Sequence, residues 1–221
     1  MKLFISGYGK MGRMIEKIIL SKGVEYAGWT EAVTETDPAL ARQCVCIDFT
    51  TPAAIRENYR FLAENFKAVV IGTTGWADIK DEVVAYFEKC GTPMIWASNF
   101  SIGVNVFFAV TDYISRMLGH TGGYSPYMVE MHHCHKLDAP SGTAISLAND
   151  ILDRVERKEK WVNEATTDAK AIEITSLREG TVPGTHTVTY LSEDDKIEIK
   201  HTLFSRRALA LGAVVAAEFI A

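Results

Sequence analysis

Residues 130–144, EMHHCHKLDAPSGTA, bring together more reactive side chains than any other stretch of this sequence. Three histidines, a cysteine and a lysine fall within positions 132–136, shortly before a Pro-Ser-Gly turn. Imidazole titrates near neutral pH and also ligates metals, whereas a lysine ammonium offers a compact positive charge. The stretch therefore has three interpretations: a metal site, an anion site or a polar loop.

The spacing argues against a metal site. His132 and His133 are adjacent on a predicted strand, so their side chains point to opposite faces. His133 and His135 could share a face, with Cys134 opposite. A catalytic zinc site needs three protein ligands and an open position, and no C-x-x-C, H-x-x-x-H or H-E-x-x-H spacing supplies them. We therefore expect no metal.

An anion site fits the stretch better. SGTAISLANDIL begins a predicted helix that continues through DRVERK to residue 158. The N–H groups of Gly142 and Thr143 at its N-terminus would bind a carboxylate. Lys136 adds a positive charge, and Asp138 could orient the turn. A substrate with two carboxylates would suit the loop and leave one imidazole for proton transfer. A capped helix with exposed polar residues fits equally well, and the local sequence leaves both possibilities open.

A second candidate site lies near the N-terminus. GYGKMG follows the apolar run KLFIS and opens a helical pattern, the context that a dinucleotide-binding fingerprint requires. Its glycines allow a tight turn, close approach to a pyrophosphate and close helix–strand contact, while the helix N-terminus favours negative charge. Glu31, at the end of the second predicted strand, is the candidate acceptor for adenosine ribose hydroxyls. It could instead be a solvated loop carboxylate.

The loop after Glu31 bears on the choice between NADH and NADPH. Glu35 and Asp37 make it acidic, and the nearest following cation is Arg42. A 2′-phosphate would be poorly received there unless Arg13 or another cation folds in. We predict that NADH is used at least as well as NADPH.

Three polar clusters follow later apolar strands, and in an open parallel sheet such strand ends face the ligand crevice. Singly, each cluster reads as turn or N-cap chemistry, for example Thr51 capping a helix whose first residue is Pro52. On one edge with the glycine loop they indicate a cofactor crevice. The clusters are Asp48-Phe49-Thr50-Thr51, Gly72-Thr73-Thr74-Gly75 and Ala97-Ser98-Asn99-Phe100.

The scaffold predicted for these sites is an α/β fold with two domains. Short apolar strands alternate with amphipathic helices over residues 1–99, which predicts a Rossmann-type parallel sheet. The predicted strands are KLFIS (2–6), VEYAGWT (24–30), VCIDF (45–49), AVVIG (68–72) and PMIWA (93–97). Residues 100–206 predict a second, α+β domain, in which AIEITSLRE, HTVTYLS and KIEIKHTL alternate with a period of two. The helix at 207–221 is apolar nearly all round, so we expect it to be buried and to pack back on the first domain.

Composition narrows the class of protein. The 221 residues are 48% hydrophobic and carry a net charge of −5, which suits a globular enzyme and not a nucleic-acid-binding protein. No apolar stretch is long enough for a signal core or a membrane helix, so we expect a cytoplasmic protein without a membrane partner. The four cysteines form no C-x-x-C pair, and Cys44 with Cys46 would lie in the core.

Taken together, the motifs resemble the 4-hydroxy-tetrahydrodipicolinate reductase (dihydrodipicolinate reductase) family of the diaminopimelate route to lysine. The segments that carry the resemblance, in order, are GYGKMG, DFTTP, VIGTTGW, ASNFSIGVN, EMHHCHKLDAPSGTA, LREGTVPGTHTV and SRRALALGA. The glycine loop is one residue shorter than the common G-x-x-G-x-x-G form, and the region from Glu31 to Cys44 is shorter than in longer members. These departures leave the ribose contact, and with it the cofactor preference, undecided.

The resemblance implies hydride transfer from NADH or NADPH to a cyclic dicarboxylate, with a homotetramer formed through the second domain. His132 resembles the catalytic histidine and Lys136 the proton-donating lysine of the family. The residues implied to bind substrate are His133, Gly142, Thr143 and, near the site, Arg206. The residues implied to contact the cofactor are Gly7, Tyr8, Gly9, Lys10, Met11, Gly12, Glu31, Gly72, Thr73, Thr74, Ala97, Ser98, Asn99 and Phe100.

Two alternatives remain at this point. The chain could be another NAD(P)H-dependent reductase, acting on an imine or an amino-dicarboxylate. It could also be a non-catalytic dinucleotide-binding sensor, although the intact histidines and lysine argue against this. Neither Cys134 nor His135 receives a role.

Overall fold

The computed structural model describes all residues from 1 to 221, and these form two compact units. The first unit comprises Met1–Ile102 and Arg206–Ala221, and the second comprises Gly103–Ser205. None of the helices combines the length and the apolar character that crossing a membrane would require.

The first unit is built on a parallel five-stranded sheet. Its strands are β1 (Lys2–Ser6), β2 (Glu25–Thr30), β3 (Cys44–Asp48), β4 (Ala68–Ile71) and β5 (Met94–Trp96), and its first helices are α1 (Lys10–Ser21), α2 (Pro38–Ala41), α3 (Pro52–Asn65) and α4 (Lys80–Cys90). The strand order is β2-β1-β3-β4-β5, with parallel pairing throughout. The predicted Rossmann-type sheet is confirmed; the short helix α2 was absent from the prediction.

The centre of this sheet is covered on both faces. Every residue of β3 and β4 is buried, which explains their unbroken apolar sequences. Cys44 and Cys46 are fully buried, which confirms their prediction as core residues. The strand order reverses between β1 and β3, so a ligand crevice is expected beyond the carboxyl ends of these two strands.

The second unit contains a mixed sheet and two helices. Its elements are α5 (Ile102–Gly119), β6 (Ser125–His132), α6 (Gly142–Leu152), β7 (Lys160–Val162), β8 (Ala171–Arg178), β9 (Gly184–Leu191) and β10 (Lys196–Leu203). The strand order is β10-β9-β6-β8-β7; the pairs β9–β10 and β6–β9 are antiparallel, whereas β6–β8 and β7–β8 are parallel. One face of this sheet carries the apolar residues of a core that includes Met128 and Val188 and is shared with α6.

Helix α6 ends earlier than its sequence pattern predicts. The pattern continues to residue 158, but the helix stops at Leu152. The buried Lys158 instead donates from Nζ to the carbonyls of Ala169 and Ala171, at 2.9 and 2.8 Å. These bonds anchor the segment that leads into β7, a strand that the sequence did not predict.

The last helix, α7 (Arg207–Ile220), belongs to the first unit and packs against α1, β3 and β4. Small residues permit this close approach: a Cβ on Gly212 would lie 1.6 Å from the carbonyl oxygen of Phe100. Ala213 and Ala217 are fully buried, but Phe219 remains 85% exposed. The expectation that the whole helix is buried is therefore wrong for its outer side, because only the stripe facing the sheet is covered.

Candidate functional site

The glycine loop after β1 contains three glycines, and each has a different structural role. Gly7 has φ +88°, a conformation that side chains disfavour, and a Cβ there would lie 2.4 Å from the Phe49 carbonyl oxygen. A Cβ on Gly12 would lie 2.2 Å from the Gly7 carbonyl oxygen, so this glycine allows the helix–strand contact. Beside Gly9 the space is open, and α1 begins there without a side-chain cap. The uncapped N–H groups fit a pyrophosphate.

The end of β2 meets this loop through Glu31 and an aromatic pair. Glu31 Oε1 accepts a hydrogen bond from the Tyr8 backbone N–H at 3.0 Å, and the Tyr8 ring stacks on Trp29 with centroids 4.0 Å apart. Arg13 donates from Nε to the Tyr8 carbonyl at 3.3 Å, and its guanidinium lies 5.4 Å from the Tyr8 ring centroid. Arg13 is therefore a cation that folds onto the glycine loop.

A buried carboxylate ties together the strand ends beneath the predicted crevice. Asp48 is fully buried and accepts hydrogen bonds from the hydroxyls of Ser6 at 2.7 Å, Thr50 at 3.0 Å and Thr73 at 2.7 Å. Burial raises the pKa of Asp48, and the three hydroxyl donors oppose that shift. Thr73 is thus engaged through its side chain in the scaffold, and its carbonyl accepts from the Trp76 indole at 2.6 Å.

The other predicted cofactor residues line the ends of β4 and β5. A Cβ on Gly72 would lie 2.1 Å from the Phe49 ring, so Gly72 leaves room for that ring, which also packs against Phe100. Asn99 Oδ1 accepts from the Ser101 N–H at 2.9 Å. Thr74 and Ser98 are exposed, Ala97 is half-buried, and in the glycine loop Lys10 is exposed and Met11 half-buried. Thr51 caps α3, as predicted, by accepting from the Ala54 N–H at 3.2 Å.

In the second unit, His132 is the last residue of β6 and is hydrogen-bonded to the buried carboxylate of Glu130. Its Nδ1 makes a short hydrogen bond with Oε2 of Glu130, which is fully buried two residues earlier on the same face of the strand. Arg178 Nη2 lies 2.9 Å from Glu130 Oε1, as an ion pair without hydrogen-bond alignment. Burial would raise the pKa of Glu130, but its polar contacts with His132, Ser176 and Arg178 outweigh burial and lower the pKa to about 2.

A second buried histidine links His132 to the start of α6. The ring of His186, on β9, meets the His132 ring edge-on with centroids 5.1 Å apart, and its Nε2 lies 3.0 Å from Ser141 Oγ. Ser141 caps α6 by accepting from the Ala144 N–H at 3.2 Å. Burial lowers the pKa of His186 to about 4, with a further contribution from His132. His186 is therefore neutral at physiological pH.

The N-terminus of α6 and Lys136 provide positive charge in the same unit. Gly142 is exposed and Thr143 half-buried in the first turn of the helix, where N–H groups have no partner within the helix. Lys136 Nζ donates to both carboxylate oxygens of Asp138 at 2.8 Å, which lowers the pKa of Asp138. The Lys136 charge also contributes to the lowered pKa of His186, so this ammonium acts on the histidine cluster.

The other residues predicted to bind substrate are His133 and Arg206. His133 follows the end of β6, with its Nδ1 buried and unpaired and its ring 6.4 Å from that of His135. Cys134 is exposed. Arg206 is the N-cap residue of α7 in the first unit, so its predicted substrate contact stays a prediction.

The ligand atoms of Glu130, His132 and His186 lie within 4.8 Å of one another, a spacing that a metal ion could bridge. The Arg178 guanidinium already balances the charge of Glu130, and His186 Nε2 faces Ser141. We identify no metal ligands among these residues.

Sequence reasoning missed Glu130, Arg178, His186 and Ser141 as parts of this cluster. A signal for Glu130 was available: in YMVEMH it alternates in phase with the buried Met128, so it is a charged residue on a core face. Ser141 also had a local signal, since a serine directly before a predicted helix is a typical N-cap. Arg178 and His186 gave none. The pairing of β6 with its neighbours sets Arg178 opposite His132 and His186 opposite Glu130.

Comparisons with known proteins cover the whole chain. Family models described as dihydrodipicolinate reductase, N-terminus, and dihydrodipicolinate reductase, C-terminus, match residues 1–100 and 103–221. A Christiangramia forsetii protein named 4-hydroxy-tetrahydrodipicolinate reductase is 42% identical over 222 residues, covering 100% of this chain and 92% of that protein. A Methanopyrus kandleri protein of the same name is 38% identical over 216 residues, covering 95% and 77%.

Among solved structures, dipicolinate-bound dihydrodipicolinate reductase from a Paenisporosarcina species matches with a TM-score of 0.74 at 22% identity, covering 99% of this chain and 94% of that one. At this identity the likeness shows the fold alone. A Rossmann-type unit with an uncapped glycine loop, joined to a mixed-sheet unit with a histidine and lysine cluster, defines the class of NAD(P)H-dependent oxidoreductases. Within that class the chain belongs to the dihydrodipicolinate reductase family, as the sequence motifs predicted.

The neutral His186 makes stability depend on pH. Its folded pKa of about 4 lies below the ordinary 6.5, so the unfolded chain binds the proton first. Above pH 6.5 the neutral imidazole costs the folded protein no stability, and stability is lost as the pH falls toward 4. The loss amounts to about 2.5 kcal/mol at about pH 4.5. Urea unfolding of His186→Gln should therefore show a smaller loss between about pH 7 and 4.5 than the wild type. Exposed His120→Gln is the control, and equal losses in His186→Gln and wild type would contradict the prediction.

Proposed function

We propose that this chain reduces 4-hydroxy-tetrahydrodipicolinate to tetrahydrodipicolinate in the diaminopimelate route of lysine biosynthesis. The observation that carries the proposal is the grouping, in one unit, of an imidazole on a buried carboxylate, an ammonium and a helix N-terminus. Near full-length similarity to proteins named for this reaction supports it. The substrate loses its 4-hydroxyl group as water, accepts a hydride at C4 and a proton at the neighbouring ring carbon, and NAD(P)H becomes NAD(P)⁺.

The first unit holds the cofactor in this proposal. NADH or NADPH, when bound, supplies the hydride. Its pyrophosphate would lie against Gly9 and the N-terminus of α1, where the glycine loop is open and uncapped. Glu31 would accept hydrogen bonds from the ribose hydroxyls while keeping its hydrogen bond from the Tyr8 backbone N–H. The ends of β4 and β5, from Gly72 to Thr74 and from Ala97 to Phe100, would contact the nicotinamide half.

The second unit holds the substrate and moves the proton. The N–H groups of Gly142 and Thr143 and the imidazole of His133 would bind its carboxylates, with Arg206 as a further candidate. Lys136 would be the proton donor, and its ammonium donates hydrogen bonds to both carboxylate oxygens of Asp138. His132 would serve as acid or base. Fixing both carboxylates places the ring for attack and offsets its negative charge.

The reaction is tested by following cofactor oxidation with the product of aspartate semialdehyde and pyruvate condensation as substrate. We expect turnover with both cofactors and a kcat/KM for NADH at least equal to that for NADPH, because Glu31 opposes a 2′-phosphate. Arg13→Ala should lower kcat/KM for NADPH more than for NADH, since Arg13 is the cation folded onto the loop. Arg42→Ala is the matched control. No turnover with either cofactor would refute the reductase proposal, and a strong NADPH preference would refute the cofactor assignment.

Lys136 should be required for chemistry and dispensable for cofactor binding. Lys136→Ala is expected to lower kcat by about a hundredfold, the usual contribution of a general acid, and to leave the Kd for NADH, measured by fluorescence titration, unchanged. Lys170→Ala, which removes an exposed lysine paired with Glu159, is the control. A loss of NADH binding in Lys136→Ala would mean that this lysine belongs to the cofactor site.

We also propose that the protein is a homotetramer formed through the sheet of the second unit. Alternate residues of β6, among them Tyr127, Val129 and Met131, face away from the helices and are only partly buried. Four chains of 24.5 kDa give an expected mass of about 98 kDa by light scattering. Val129→Asp should shift the folded protein to smaller species, and an unshifted mass would count against this interface.

A cytoplasmic location is proposed as well, because all four cysteines are free thiols.

A further inference from the structure

We propose that Glu130, held in place by Arg178, positions His132 so that Nδ1 faces inward and Nε2 is the nitrogen that exchanges a proton with the substrate. The inference rests on the proposed role of His132 as acid or base and specifies how that role is set. Glu130 is a positioning residue: it is fully buried and acts through His132.

The tautomer follows from the hydrogen bond to Glu130. The low pKa of Glu130 keeps it ionised, so its Oε2 can only accept, and the proton in this bond belongs to His132 Nδ1. In a neutral imidazole with Nδ1 protonated, Nε2 carries a free lone pair. The carboxylate also stabilises the imidazolium that forms when Nε2 takes up a proton.

Arg178 fixes the carboxylate itself. It is the register partner of His132 on the neighbouring strand β8, and its Nη2 lies 2.9 Å from Glu130 Oε1. Two further bonds hold the guanidinium, from Nη1 to the Leu177 carbonyl at 2.7 Å and from Nη2 to the Asp138 carbonyl at 2.6 Å. One cation thus balances the buried charge and ties it to the loop that carries Lys136.

Gly184 leaves the outward nitrogen uncovered. This residue begins β9, and a Cβ at its position would lie only 3.0 Å from His132 Nε2, closer than van der Waals contact. Any other residue would therefore press against the nitrogen that the proposal assigns to proton transfer. Gly184 also has φ +159°, a backbone conformation that side chains disfavour, so both its backbone and its contact with the His132 ring favour glycine.

The charged and titratable side chains around His132 come from three strands and one loop. Glu130 lies on its own strand, Arg178 on β8, neutral His186 on β9, and Lys136 with Asp138 in the following loop. Without the Glu130 charge, His132 would share the cluster with two cations, Arg178 and Lys136. Removing the Glu130 charge should therefore change the pH dependence of kcat more than it changes substrate binding.

The test is Glu130→Gln, which keeps the side-chain size and removes the charge. We expect kcat to fall by about a hundredfold, KM for both substrates to stay within about twofold, and the pH profile of kcat to move. In ¹⁵N NMR, His132 should be protonated at Nδ1 in the wild type and redistribute toward the other tautomer in the variant. Glu156→Gln, an exposed carboxylate of the same unit, is the matched control, and circular dichroism verifies folding.

A second variant keeps the inference testable if Glu130→Gln fails to fold. Gly184→Ala should lower kcat while His132 retains its Nδ1–H tautomer, because the added methyl group covers Nε2 and leaves Glu130 in place. Circular dichroism verifies that this variant folds, since φ +159° at residue 184 also disfavours a side chain. Wild-type kcat in folded Glu130→Gln, or a wild-type His132 protonated at Nε2, would overturn the inference. The ¹⁵N measurement does not depend on turnover, so absence of activity in the wild type would reject the proposed reaction and leave the positioning of His132 separately decided.

Discussion

The buried carboxylate of Glu130 is the interaction on which the second unit's site depends. An ionised group removed from water costs several kcal/mol unless its partners replace that water. Here His132 bonds one oxygen and Arg178 lies at the other, so three residues on two paired strands are held in one arrangement. The same charge that would destabilise a core fixes the orientation of the imidazole.

The first unit uses the same device at a different place. Asp48 is buried beneath the strand ends, and three hydroxyl groups on the ends of β1, β3 and β4 donate to it. The loops that follow these strands are thereby fixed relative to one another, which favours a preformed cofactor crevice. In both units a fully buried carboxylate near the end of a central strand organises the neighbouring loops.

The periodicity of the sequence was sufficient for most of the fold. Apolar runs predicted the five parallel strands within one or two residues, because strands buried on both faces need continuous apolar sequence. Boundaries that depend on tertiary contacts were predicted less well: α6 ends at Leu152, and beyond it Lys158 donates to the carbonyls of Ala169 and Ala171 instead of continuing the helix. The exposed outer side of α7 was not predicted, because the sequence of a nearly uniformly apolar helix does not reveal which side packs against the sheet.

The sequence by itself determined the family, the glycine loop and the reactive segment from His132 to Thr143, because these features consist of residues close together in the chain. Only the tertiary structure decided how His132 is oriented. Glu130 reaches it within one strand, but Arg178, His186 and Gly184 lie about fifty residues away and meet it through the register of β6 with β8 and β9. Strand pairing is set by the packing of whole sheets. No local sequence pattern could therefore predict that Arg178 and His186 lie next to His132.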